Sequence, residues 1–63
     1  MDMSTIAEQV SNHLKYGNIT FEESGIAETD QFYSWYFDEV GDMYAEFVDG
    51  SRLLLQTKSE LDK

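Results

Sequence analysis

The stretch "FDEVGDMYAEFVDGSRLLLQT", Phe37 to Thr57, decides how this chain folds. It reads as two strands, "MYAEFV" and "RLLLQT", and the aromatic-rich "QFYSWYF" supplies a third ahead of them. Side chains alternate between the faces of a strand, so a one-residue slip moves every apolar group to the wrong side. A two-residue Asp49-Gly50 turn is the usual hairpin choice. It would set Phe47 against Arg52 and Ala45 against Leu54, mixing core with charge. A three-residue loop, Val48-Asp49-Gly50, with Gly50 left-handed as a bulge residue, does better. It pairs Phe47 with Ser51, Glu46 with Arg52, Ala45 with Leu53 and Met43 with Leu55. One face is then apolar and the other carries an opposite-charge pair. The turn "DEVGD" extends that parity, placing Phe37 opposite Met43 and Trp35 opposite Ala45.

The expected core face is therefore Tyr33, Trp35, Phe37, Met43, Ala45, Phe47, Leu53 and Leu55. The outer face carries Tyr36, Tyr44 and Leu54 amid Ser34, Asp38 and Glu46. Upstream, Ile6, Val10 and Leu14 recur along one helical face after Thr5, which with Glu8 fits a capping box; Ser4 is a rival cap. Gly17 stands where a left-handed C-cap residue belongs, and Lys15 suits the negative end of the helix. "NITFEES" alternates Ile19 and Phe21 with Thr20 and Glu22, as a half-buried strand does. The expectation is one α+β domain: a helix over residues 4–16 packed on an antiparallel meander of three or four strands, at 18–23, 31–38, 43–48 and 51–57. The tail, 58–63, is expected to fray.

Size limits what such a chain can hold together. Its 63 residues stand near the lower bound for folding without staples, and with no Cys it has neither disulfides nor a thiolate metal site. Four Phe, four Tyr and one Trp compensate, because each aromatic buries a large area. No apolar run approaches a membrane span, and "MDMSTIAEQ" lacks the basic start and apolar stretch of a signal peptide, so a cytoplasmic protein is expected.

Charge says more. The net charge is −9, and no basic residue lies between Lys15 and Arg52. That gap holds Glu22, Glu23, Glu28, Asp30, Asp38, Glu39, Asp42, Glu46 and Asp49. Such a field repels nucleic acid and anionic membranes and attracts basic protein surfaces. Asp and Glu are poor strand formers, so their abundance between Phe37 and Gly50 demands a reason.

Catalysis is not that reason. His13 is the only imidazole and so the only possible base for a Ser or Thr nucleophile, and no Gly-rich phosphate loop appears. Glu22 and Glu23 would point to opposite faces of a strand and could not converge as an acid/base pair. "DEVGD" gathers hard oxygen ligands but lacks the alternate spacing of a calcium loop. No enzyme, cofactor or metal site is expected. Imitation of a polynucleotide is the third option. Alternate strand residues stand about 6.6–6.8 Å apart, a pitch comparable to that of phosphates along a backbone. A groove built for phosphates would offer Lys, Arg and backbone N–H groups to such a surface. Glu22, Glu23, Glu28 and Asp30, with Asp38, Asp42 and Glu46 from the meander, are the acids placed for it.

The order of features resembles the uracil-DNA glycosylase inhibitors made by some phages, small acidic proteins that look like DNA. In that family a helix leads into an acidic edge strand bearing a Glu-Ser pair and then an apolar residue. Here "STIAEQVSNHLKYG" would be the helix and "NITFEESGI" the strand, with Glu23-Ser24 as the pair and Ile26 after it. The resemblance implies that Glu23 and Ser24 meet the enzyme's DNA-gripping loops and that Asp38, Glu39 and Asp42 extend the phosphate-like track. It also implies a pocket between helix and sheet that accepts the enzyme's inserted apolar side chain. Gly25 interrupts the motif, and the family's second helix has no counterpart. Size and acidity look equally like anti-CRISPR proteins, with no shared motif.

The expected function is thus a non-catalytic inhibitor that occupies the DNA-binding site of a basic protein. Uracil-DNA glycosylase is the first candidate target, and a CRISPR or restriction effector the second. It would not bind nucleic acid or membrane itself. The alternative is an interaction module or homodimer using the outer patch of Tyr36, Tyr44 and Leu54.

Overall fold

A computed structural model describes residues 4–62. The order is helix α1 (Ile6–Gly17), a helical turn α2 (Phe21–Ser24), a 3-10 turn (Ile26–Glu28), strands β1 (Phe32–Phe37), β2 (Met43–Phe47) and β3 (Arg52–Gln56), and a helical turn α3 (Lys58–Leu61). The strands form one antiparallel meander in the order β1-β2-β3. α1 packs against β3 and β2, giving the small α+β layer that the apolar periodicity called for.

The hairpin between β2 and β3 has the three-residue loop. Phe47 N–H donates to Ser51 O at 2.9 Å, Gly50 has φ +86°, and Glu46 pairs with Arg52, Ala45 with Leu53. Across β1 and β2, Phe37 faces Met43 and Trp35 faces Ala45 as expected. Two irregularities alter the ends. Phe32, not Tyr33, sits opposite Phe47, because Tyr33 is an extra residue between Phe32 and Ser34. Met43 pairs with Gln56 rather than Leu55, because the register shifts again between Met43 and Tyr44.

Three expectations need correction. Residues 18–23 are not a strand: Thr20 caps α2, accepting Glu23 N–H at 3.1 Å while the Glu23 carboxylate accepts Thr20 N–H at 3.2 Å. Reciprocal capping satisfies two amides that a strand would have left for a neighbour, so the short polar run turns helical. Gly17 is the last residue of α1, and Asn18 takes the left-handed position at φ 56° that closes it, a conformation Asn tolerates. The tail does not fray over 58–61, since Thr57 and Glu60 form a second capping box that starts α3.

The core is small. Ala7, Val10, Phe21, Ala45 and Phe47 are buried, with Ile6, Leu14, Ile26, Phe32, Leu53 and Leu55 packed around them. α1 packs on β2 and β3, and the inward side of β1 receives Phe21 and the 3-10 turn. Phe21, Phe32, Trp35 and Phe47 form an aromatic cluster there, its contacting pairs tilted or edge-to-face with ring centroids 4.9–6.4 Å apart. Tyr33 and Phe37, expected in the core, are 68% and 62% exposed, and Trp35 is 41% exposed.

Candidate functional site

Several of the acidic side chains hold turns and helix ends together, which answers why the turns tolerate them. One oxygen of Asp38 accepts the backbone N–H groups of Val40 (3.0 Å), Gly41 (2.9 Å) and Asp42 (2.9 Å). Those amides converge as they do around a bound anion, and the anion is the turn's own carboxylate. The Asp42 N–H first, then those of Gly41 and Val40, keeps Asp38 below the usual carboxylate range. Asp42 in turn accepts Lys58 N–H at 2.8 Å, tying α3 to the turn. Asp49 accepts Ile6 N–H at 2.9 Å, and Ser51 Oγ accepts Ala7 N–H at 3.0 Å, so the β2–β3 loop caps α1 from across the fold. That Ile6 amide, followed by the hydroxyl and N–H of Ser51, lowers Asp49 likewise.

The Glu23-Ser24 pair is spent in the same way. Glu23 closes the α2 capping box; the Ser24 hydroxyl donates to Phe21 O and accepts Ile26 N–H at 3.2 Å. Neither lies on an edge strand, so the placement that the glycosylase-inhibitor resemblance implied is not met. Ile26 packs against the core, while Glu22, Glu28, Asp30 and Glu39 are exposed and Glu46 is half-buried.

The acids do not run along one strand. Apart from Glu46 on β2 and Asp49 in the last loop, those of the base-free stretch fall into a group before β1, Glu22, Glu23, Glu28 and Asp30, and a group after it, Asp38, Glu39 and Asp42. Between them β1 reads Phe-Tyr-Ser-Trp-Tyr-Phe with no charge. At about 3.4 Å per residue the two groups are roughly 20 Å apart along the strand.

The outer face differs from its expectation too. Arg52 turns from its cross-strand neighbour Glu46 to the tyrosines: its Nη1 donates to Tyr36 Oη at 2.8 Å and the guanidinium lies 5.1 Å from the Tyr44 ring centre. Tyr36 and Tyr44 stack at 5.5 Å. The hydrogen bond to Tyr36, first among the causes, holds Arg52 above its ordinary value. This face thus satisfies much of itself, leaving Leu54 exposed at its side.

The opposite side is open. A groove of about 430 Å³ runs between helix and sheet, lined by Leu14, Phe21, Trp35, Met43, Leu53 and Leu55, with Glu22 and Glu60 at its polar border. Tyr33, Trp35 and Phe37 were missed as surface residues because alternation alone cannot tell that α1 lies over β2 and β3. Among the described residues no group of three or more His, Cys, Asp or Glu side chains is placed to hold a metal ion, and no helix is long and apolar enough to cross a membrane. No protein-family model, curated protein or solved structure matches the chain.

Proposed function

We propose that this protein is a non-catalytic inhibitor that binds a basic, nucleic-acid-binding protein and excludes its nucleic acid. One observation carries the reading: an uncharged aromatic strand bracketed by two groups of carboxylates, in a stretch without a basic residue from Tyr16 to Ser51. The acids would meet the Lys and Arg side chains that a nucleic-acid groove offers to phosphates, steering association. The exposed rings and the groove beside Trp35 would add affinity that salt does not screen. With Glu23-Ser24 consumed by α2, the target is a class, enzymes with a basic nucleic-acid groove. Uracil-DNA glycosylase is the first member to assay, and CRISPR and restriction effectors come next.

The test is a uracil-excision assay, and parallel DNA-cleavage assays with a CRISPR effector and a restriction enzyme, each with increasing amounts of this protein. Inhibition relieved by excess duplex, with an association rate that falls as salt rises, is the expected result. The charge reversals Glu28→Lys and Glu39→Lys suit the test, because both side chains are exposed and neither caps a turn. They should weaken inhibition together. Inhibition that survives both reversals, or a captured partner with an acidic binding surface, would rule the reading out.

A further inference from the structure

β1 is an edge strand, and part of its backbone faces away from the sheet. Asp38 N–H donates to Asp42 O at 3.1 Å, which fixes the ladder's parity: Tyr36 and Ser34 exchange hydrogen bonds with β2, while the backbone groups of Trp35 and Phe37 point away from the sheet. Among the described residues, the N–H groups of Trp35 and Phe37 make no hydrogen bond. The Trp35 carbonyl is met only by the hydroxyl of Ser34, at 3.2 Å. An uncharged aromatic edge of this kind is a template for another strand, and proteins ordinarily blunt it with a lysine, a proline or a covering loop. Here the N-terminal end has the 3-10 turn against it, and the segment from Ser34 to Phe37 has neither lysine nor proline.

The surrounding charge says what fits. If two copies paired through β1 in antiparallel fashion, the end of one strand that leads into Asp38 and Glu39 would be brought towards the end of the other that follows Asp30. Like charges opposed across a ladder are unfavourable, so the acids guard the edge against a second copy. The same acids attract an extended segment with basic residues at both ends and no charge in the middle. Building on the reading above, of a protein that binds basic proteins, we infer that the outer edge of β1 adds such a segment of the partner as a fourth strand. Its backbone hydrogen-bonds to Trp35 and Phe37, its alternate side chains lie against the exposed Trp35 and Phe37 rings, and its terminal Lys or Arg residues sit by Asp30 and Asp38–Glu39.

A short synthetic peptide alternating valine and threonine, with an arginine at each end, is the probe. It is titrated into isotopically labelled protein while amide shifts and hydrogen exchange are followed by NMR. Binding should shift and protect the amides of Trp35 and Phe37 and leave those of Leu14 and Leu53 little changed. Replacing the terminal arginines by glutamates, or N-methylating alternate peptide amides, should each weaken binding by at least about tenfold. The N-methylated peptide leaves the protein untouched, so a folding defect cannot mimic the result. Phe37→Pro, which removes an outward N–H from an edge strand, should act in parallel. If the peptide binds through Leu14 and Leu53 with Trp35 and Phe37 amides unmoved, the edge proposal is wrong and the reading of a basic partner survives. If the arginine-ended peptide does not bind at all, the edge proposal is wrong, and the inhibition assays decide separately whether the partner is a basic nucleic-acid-binding protein. A dimer in which those two amides are protected without peptide would mean that a second copy owns the edge.

Discussion

The carboxylate of Asp49 accepts the backbone N–H of Ile6 at 2.9 Å, across 43 residues of chain. With Ser51 on Ala7 and Thr5 on Glu8, it leaves no amide of the first turn of α1 without an acceptor, since Gln9 N–H already reaches Thr5 O. The helix and the last hairpin are therefore tied directly to each other.

Thr5→Ala and Ser51→Ala should each cost about 1 kcal/mol, lowering Tm by roughly 4–8 °C in a domain of this size. Asp49→Ala removes acceptors for Ile6 and for Ser51 together and should lower Tm further than either. Thermal melts followed by circular dichroism decide the ranking.

Acid should unfold the protein from the same place. Asp38 and Asp49 are both held below the usual carboxylate range by the amides they accept. A lowered folded pKa means the folded state binds fewer protons than the unfolded chain, so the stabilisation is complete above about pH 4 and is lost as pH falls through the depressed values. Asp38→Asn and Asp49→Asn should flatten that acid limb, measured as denaturant midpoints between pH 5 and pH 2.

Burial separates the phenylalanines. Phe47 is 1% exposed and packs edge-on against Phe32, so Phe47→Ala should cost about 3–5 kcal/mol and leave a chain this small largely unfolded. Phe37 lies on the same strand face as Trp35 but open to water, and Phe37→Ala should change stability by less than about 0.5 kcal/mol. Near-UV circular dichroism of the two variants should differ accordingly.

Glu23 can be split into its two roles. Gln serves a capping box as Glu does, so Glu23→Gln should keep α2 and hold Tm near the parent value while removing one charge. Thr20→Ala, which removes the cap itself, should cost about 1 kcal/mol. A Glu23→Gln variant that melts as low as Thr20→Ala would show the charge, not the hydrogen bond, to be what α2 needs.

Crowded carboxylates repel one another, so moderate salt should raise Tm, most of all at low ionic strength. A melting curve indifferent to salt would mean that the two acidic groups are too dispersed to make a common field.

The hairpins were legible because parity and charge had a single consistent solution: Gly50 left-handed, Ala45 on Leu53, Glu46 on Arg52, Trp35 on Ala45. α1 was legible from Ile6, Val10 and Leu14. What misleads in "NITFEES" is a four-residue alternation, Ile19 to Glu22, set against a capping signal of equal length, Thr20 to Glu23. Thr20-x-x-Glu23 is the same pattern as Thr5-x-x-Glu8 and Thr57-x-x-Glu60, and all three begin helical turns. Only at Thr5 does a long apolar period follow the pattern and mark the helix. The candidate site was half visible. Its acids could be counted, but whether a carboxylate faces a partner or its own backbone depends on turn geometry, as at Asp38. The exposure of Tyr33, Trp35 and Phe37 depends on which strands α1 covers, and the local sequence does not specify that.

Trp35 is the only tryptophan, and it touches Phe21 on one side while bordering both the groove and the open edge on the other. Its fluorescence therefore answers to three events without any label. Undocking of α2 would strip Phe21 from the indole and redden the emission, whereas a ligand laid in the groove or along the edge would exclude water and turn it bluer. The molecule carries its own optical gauge at the spot where a partner would first be felt.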